Sequence, residues 1–156
     1  MIMRLLAGVV MGVLVSGDAI AGAVEDCATA NDRQDYAEAL RLCRPLAEQG
    51  EGVAQATLGS MYEYGVGGLE QDEAEAVKWY RRAAEQGNAD AQATLGFRYE
   101  RGQGVPQDYV LADMWLSLAA AKGYQCADKC DALAAKMTPE QIAEAQRLAR
   151  EWKPSK

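Results

Sequence analysis

Histidine is absent from the 156 residues of this chain. Its imidazole is the commonest general base, the usual activator of a nucleophile and the commonest zinc ligand in proteins. The nucleophile motif serine–x–x–lysine is missing as well, since Ser16, Ser60 and Ser117 have no lysine at the third following position. These absences exclude most hydrolase designs, and we expect a chain that is not an enzyme and binds no metal or cofactor.

Positive charge is scarce relative to negative charge. Lysine and arginine number 16 against 23 aspartate and glutamate residues, and the formal net charge is −7. Binding to nucleic acid or to an anionic membrane needs a cluster of cations. The one basic stretch, Lys78–Arg82, alternates with aromatic residues and could hold an anion. We favour an ordinary solvated helix face that pairs with Glu75 and Glu85, and expect no nucleic-acid partner.

Long apolar runs are also missing, apart from the stretch Leu5–Val15 near the amino terminus. This stretch is shorter than the roughly 20 residues that span a bilayer as a helix. It follows Arg4 and precedes small residues at Ala21 and Ala23, as in a secretory signal peptide. We predict a signal peptide over residues 1–23, and a periplasmic or secreted mature chain without stable membrane insertion. A retained anchor is the less favoured alternative.

What the sequence does contain is a repeat. The segment Ala54–Gly59 recurs as Ala91–Gly96, with an offset of 37 residues before a glycine loop and 36 after it. A partial third copy, Leu46–Gly50, precedes Ala83–Gly87 by 37 residues. A fixed period of this length predicts stacked helical hairpins, each of which buries its apolar face only against a neighbour.

The repeated positions have helical periodicity, so we expect them to form the core between hairpins. Asp72 and Glu75 are spaced as a capping box at a helix start, and small residues such as the pairs Ala83–Ala84 and Ala119–Ala120 allow helices to approach closely. The predicted repeat core consists of Leu58, Gly59, Tyr62, Trp79, Leu95, Gly96, Tyr99 and Trp115.

These residues resemble the pattern of the Sel-one-like repeat (SLR) family, which is related to the tetratricopeptide repeats. The resemblance covers a degenerate hairpin over residues 24–50, one repeat over 53–88, a second over 89–124, and terminal helices over 125–153. It implies an all-α, right-handed superhelix of antiparallel helix pairs. It also implies a protein-interaction scaffold or adaptor, one that often assembles envelope or signalling complexes.

The four cysteines are even in number, and in an exported chain this favours disulfides. Three pairings are possible. We favour Cys27 with Cys43, because two short antiparallel helices would place them opposite each other, and then Cys126 with Cys130. The second pair requires Cys126 at or before the first turn of its helix. A redox pair or a zinc site is the less favoured alternative.

An enzyme is the alternative to the scaffold. Some cysteine-rich relatives in the SLR family are described as β-lactamases, so an envelope enzyme of β-lactamase-like or peptidoglycan-acting type remains open. The carboxylates of Glu70, Asp72, Glu73 and Glu75 could serve glycoside hydrolysis. They surround a predicted helix start, however, where acidic residues are typical.

The carboxyl-terminal segment predicts a helix that begins with Thr138 as the cap, Pro139 at the first position and Gln141 completing a capping box. Its apolar stripe would shield the last repeat from water. An amphipathic helix of this kind could also dock onto a partner. The stripe consists of Ile142, Ala145, Ala149 and Trp152.

Solenoids of this type usually bind partners on the concave face lined by the first helix of each unit, so we looked there for positions that differ between copies. Met61 is replaced by Arg98 and Tyr64 by Arg101, which would create an apolar end and a basic end. We predict that this face binds an extended or helical segment of an envelope protein; ordinary exposed helix residues are the alternative. The predicted partner-binding residues are Thr57, Met61, Tyr64, Thr94, Arg98 and Arg101.

Overall fold

The computed structural model describes residues 17–155, and within them the chain forms eight α-helices and no strand. This confirms the predicted all-α solenoid. The apolar stretch Leu5–Val15, on which the predicted signal peptide depends, lies outside the described residues. The helices are α1 (Gly17–Asp32), α2 (Tyr36–Glu48), α3 (Gly52–Tyr64), α4 (Glu73–Glu85), α5 (Ala89–Arg101), α6 (Tyr109–Ala121), α7 (Ala127–Ala134) and α8 (Pro139–Glu151).

Three hairpins stack in chain order. The helix pairs α1–α2, α3–α4 and α5–α6 pack within hairpins, and α2–α3 and α4–α5 pack between them. The last helix, α8, packs on α6, while α7 is a short helix that also contacts α6. We call α1, α3 and α5 the A helices and α2, α4 and α6 the B helices.

The helix ends follow from the repeated polar and glycine residues. Asp72 and Asp108 accept hydrogen bonds from the backbone N–H groups of Glu75 (2.9 Å) and Leu111 (3.0 Å). The predicted Asp72–Glu75 capping box is only half formed, because the Glu75 side chain accepts a bond from Lys78 instead. The box at Thr138 is complete, with bonds in both directions to residue 141.

The glycine loop of each repeat packs on the preceding unit. Gly67 has a φ of 70°, and a β-carbon there would lie 2.6 Å from the carbonyl oxygen of Tyr36 and 2.8 Å from the terminal methyl of Met61. Gly104 has a φ of 71° and lies against the carbonyl of Glu73, at the start of α4. Only glycine adopts this positive φ readily and also has no β-carbon to collide with the neighbouring backbone. The loops therefore hold neighbouring hairpins together.

The Cys27–Cys43 disulfide occupies the place of a close helix–helix contact in the repeats. In the second hairpin, Gly59 faces the ring of Tyr80, and a β-carbon at Gly59 would lie 3.1 Å from it. Cys43 is the residue of the first hairpin that matches Tyr80, because it precedes Tyr80 by one repeat period of 37 residues. It is bonded to Cys27 with a Cα–Cα distance of 5.0 Å, and both cysteines are fully buried. The first hairpin thus replaces a packing contact with a covalent bond.

The second disulfide joins Cys126 to Cys130 at the start of α7, with a Cα–Cα distance of 5.5 Å. Cys126 is the residue that precedes the helix, so the pair satisfies the requirement that the first cysteine lies outside the regular turns. All four cysteines are therefore bonded within the chain.

The apolar core forms two clusters, one around the first two hairpins and one around the last two. Among the predicted repeat core, Tyr62 is only half-buried. The other predicted core residues are buried, namely Leu58, Gly59, Trp79, Leu95, Gly96, Tyr99 and Trp115. Ala120 was expected to lie in a close helix contact as Ala84 does, and this expectation is wrong. Ala84 is buried, whereas Ala120 is exposed, because α6 is followed by the short α7 instead of another A helix.

Candidate functional site

One face of α3 and α5 remains open between the packed surfaces of the hairpins. Its residues recur every three or four positions on each helix and therefore share one side of it. The residues are Val53, Thr57, Ser60 and Tyr64 on α3, and the matching Asp90, Thr94, Phe97 and Arg101 on α5; all are exposed or half-buried. We call this set the A-helix face.

Four of the six predicted partner-binding residues lie on the A-helix face, namely Thr57, Tyr64, Thr94 and Arg101. The structure corrects the other two. Met61 is 0% exposed and Arg98 5% exposed, so neither is accessible to a partner. Met61 is turned toward the core and Arg98 toward the preceding repeat, and Ser60 and Phe97 take their places on the open face.

The buried Arg98 belongs to a polar network that joins three helices. Its guanidinium is paired with the carboxylate of Glu63 on α3 and lies 3.9 Å from that of Glu73 on α4. Glu63 also accepts a hydrogen bond of 2.7 Å from the hydroxyl of Tyr80 on α4. Burial, reinforced by the neighbouring Glu63, raises the pKa of the Tyr80 hydroxyl above its ordinary value. The network fixes the position of α5 against the preceding repeat.

A second polar motif recurs at each junction between a B helix and the next A helix. Gln55, buried on α3, donates to the carbonyl of Ala47 (3.1 Å), and Gln92 on α5 donates to that of Ala84 (3.1 Å). Gln55 in addition accepts a bond of 2.7 Å from Gln86. Both carbonyls lie at the ends of B helices and also accept a backbone bond, from Gly50 (3.1 Å) and Gly87 (2.9 Å), so each glutamine adds a side-chain bond from the next A helix.

The α3 half of the A-helix face is apolar with hydroxyl groups. Tyr64 is 68% exposed and Val53 44%, and among residues 17–155 they are the large apolar side chains that remain exposed. The hydroxyl of Thr57 donates to the carbonyl of Val53 (3.0 Å), so it is held within its own helix. Exposed aromatic side chains are typical anchors for protein partners.

The α5 half is aromatic and basic. Phe97 is half-buried, and its ring centroid lies 5.9 Å from the guanidinium carbon of Arg101 and 5.0 Å from the ammonium nitrogen of Lys129 on α7. Cations at such distances from a ring are attracted to its face. Within the described part of the chain, neither cation has an ion pair. Sequence spacing along α5 could not place Lys129 here, since it arrives from another helix.

The basic stretch Lys78–Arg82 is a solvated helix face, as favoured from the sequence, and among residues 17–155 it forms the predicted ion pair with Glu75 but none with Glu85. Lys78 pairs with Glu75 at 2.8 Å, and the guanidinium of Arg82 stacks over the ring of Trp79 at 4.5 Å. Arg81 donates to the hydroxyl of Tyr99 at 2.5 Å. Each cation therefore has a partner within the chain.

Three of the four acidic residues considered for glycoside hydrolysis have other contacts, and the fourth, Glu70, is exposed in the loop before α4. Asp72 caps α4, Glu73 faces Arg98, and Glu75 is paired with Lys78. Across residues 17–155, no group of three or more histidine, cysteine, aspartate or glutamate side chains is placed to hold a metal ion. No helix in this range is both long and apolar enough to cross a membrane.

Comparisons with known proteins agree with this architecture. The family model described as Sel1 repeat matches residues 32–51, 52–88 and 89–124. A search of curated proteins finds no match. The chain is similar to the crystal structure of c5321, a protective antigen present in uropathogenic Escherichia coli strains displaying an SLR fold. The TM-score is 0.78 and the identity 30%, over 85% of this chain but only 29% of that one.

It is also similar to a Sel1 repeat protein from Oxalobacter formigenes, with a TM-score of 0.62 and 40% identity over 70% of this chain and 85% of that one. Sel1 repeat proteins are typically non-enzymatic scaffolds for protein–protein interaction. With the repeat model matched over most of its length and the same fold in both relatives, the chain belongs to the Sel1 repeat family.

Proposed function

We propose that this chain is an exported scaffold that binds a segment of a cell-envelope protein across the A-helix face and so takes part in an envelope signalling or assembly complex. The observation that carries the proposal is the exposure of Tyr64 and Val53 on the A-helix face, which also holds Phe97 with the nearby Arg101 and Lys129, together called the Phe97 cluster. Burying such side chains is favourable and needs a partner, because no other helix of residues 17–155 covers them.

Export is supported by the two disulfides, since such bonds persist mainly in oxidising compartments. Cleavage after one of the small residues Ala21 and Ala23, as the small-x-small rule for signal peptides suggests, would fall within α1, which begins at Gly17. The residues of α1 that are buried, Cys27 and Ala30, lie after both sites. The mature helix would therefore keep its buried residues, although cleavage after Ala23 would remove the half-buried Ala23 from the core around Cys27. We retain residues 1–23 as the proposed signal peptide and the hairpin over residues 24–50 as the first structural unit.

Cross-linking in the cells that produce the protein tests this proposal. The tagged chain is compared with the variant Val53→Ser/Tyr64→Ser, which removes the exposed apolar groups of α3. A matched control, Gln146→Ser/Arg150→Ser, alters two exposed residues on one side of α8. We expect a specific envelope protein with the wild type and the control, and its loss with the α3 variant at an unchanged melting temperature.

Equal recovery of the partner with the α3 variant would show that binding uses another surface. Recovery of the mature chain from the cytoplasm with residues 1–23 still attached would contradict export. Turnover of a lactam or of peptidoglycan by the purified chain would favour the enzyme alternative over the scaffold.

A further inference from the structure

The α5 half of the A-helix face carries positive charge in a strongly acidic protein. The chain has a formal net charge of −7, yet Arg101 and Lys129 both lie near one phenylalanine ring, that of Phe97, without an ion pair in the described part of the molecule. The nearby Glu100 is half-buried and paired with Lys136 at 2.9 Å. That carboxylate therefore has its ion pair with Lys136 and not with Arg101 or Lys129.

The other acidic residues of α5 and α7 form no ion pair with Arg101 or Lys129. Asp128 and Asp131 are exposed on α7, one before and one after the position of Lys129, and neither forms an ion pair with it. Asp90 lies at the opposite end of α5, about 16 Å from Arg101 along the helix. Two cations held against an aromatic ring thus remain open to a ligand of opposite charge.

From this arrangement we infer that the bound segment is acidic: its carboxylates contact Arg101 and Lys129 beside Phe97, and an apolar side chain next to them packs on Tyr64. The inference rests on the proposed function and specifies the chemistry of the partner. Both cations can donate to carboxylates without breaking an ion pair, since neither forms one in the described part of the chain. Tyr64, the most exposed large apolar residue, supplies the neighbouring contact.

A peptide titration tests this inference. Three probes share a glycine–serine backbone and a central leucine, which is flanked by glutamates, by lysines or by glutamines. Binding to the purified full chain is followed through the amide signals in ¹⁵N–¹H NMR spectra. The test variant is Arg101→Glu/Lys129→Glu. The control variant is Arg150→Glu/Lys153→Glu, which reverses two exposed cations of α8 and the segment after it and so gives the same net charge.

We expect the glutamate peptide to shift the signals of residues 94–101 and 127–130. The test variant should weaken its affinity by about tenfold or more, because two attractions become repulsions, and the control should leave it unchanged. Tighter binding of the lysine peptide, or equal weakening by both variants, would overturn the inference. Capture of an envelope partner that depends on Tyr64 but not on Arg101 and Lys129 would preserve the scaffold and reject the acidic segment.

Discussion

The guanidinium of Arg98 on α5 forms a buried ion pair with the carboxylate of Glu63 on α3, so neighbouring repeats are joined by charge as well as by apolar packing. The matching position on α3 is the buried Met61. The same site in successive repeats is therefore filled once by an apolar side chain and once by a paired cation.

Replacing Arg98 alone leaves the carboxylate of Glu63 without its opposite charge. We expect Arg98→Met to lower the free energy of unfolding by about 2–3 kcal/mol, somewhat below the usual value for a fully buried pair, because the Glu63 side chain is 23% exposed. The double variant Arg98→Met/Glu63→Gln should recover part of the loss. Urea unfolding at neutral pH measures both; a single variant as stable as the wild type would contradict the structural role of the pair.

The raised pKa of Tyr80 predicts a loss of stability at alkaline pH. Burial favours the neutral hydroxyl in the folded state, so the folded chain retains its proton where the unfolded chain has lost it. This contribution is fully present below the unfolded pKa of about 10 and is lost as pH rises above it. Tyr80→Phe should be less stable at neutral pH, yet lose less stability between about pH 9 and 11.

Thermal unfolding across that pH range measures the difference between wild type and Tyr80→Phe. Because the other tyrosines titrate in both proteins, the difference isolates residue 80. Parallel curves would show that the hydroxyl of Tyr80 ionises as readily in the folded chain as in the unfolded one.

The two disulfides should contribute unequally to stability. Cys27 and Cys43 are separated by 16 positions and Cys126 and Cys130 by 4. Loop-closure entropy then gives about 3 kcal/mol for the first bond and about 2 kcal/mol for the second. The first bond also replaces a core contact, so we expect Cys27→Ala/Cys43→Ala to lower the urea midpoint more than Cys126→Ala/Cys130→Ala. The reverse order would contradict this ranking.

The buried glutamines at the repeat junctions offer a matched comparison. Gln55 has bonds to both Ala47 and Gln86, whereas the side-chain oxygen of Gln92 has no partner. Substitution with methionine keeps the volume and removes the polar groups. We expect Gln55→Met to cost about 1 kcal/mol more than Gln92→Met, because it removes one more bond and leaves Gln86 unpaired. Equal urea midpoints for the two variants would contradict the larger contribution expected of Gln55.

Periodicity along the chain was sufficient to predict the helix pairs, their caps and most of the buried positions. The glycine loops and the Thr138 capping box depend on residues a few positions apart in the chain, so they could be predicted from the sequence. Cys27 and Cys43 could be paired because a single tight turn brings their helices together.

The errors arise where one helix meets another. Met61 lies only slightly off the open side of α3, and the hairpin interface and the Gly67 loop cover it. Arg98 was predicted to be exposed because arginine usually is, but Glu63 from the preceding repeat allows its burial. The Phe97 cluster was missed because Lys129 reaches it from α7, and no regular period links the two residues.

Photo-cross-linking in intact cells tests the central claim, that the A-helix face binds an envelope protein, most directly. A photoreactive phenylalanine analogue is placed at Tyr64 on α3, and in a control at the exposed Gln146 on α8. We predict a discrete cross-linked product with one envelope protein from position 64 and none from position 146. The same product from position 146 alone, with none from position 64, would contradict the claim and assign binding to the carboxyl-terminal helix.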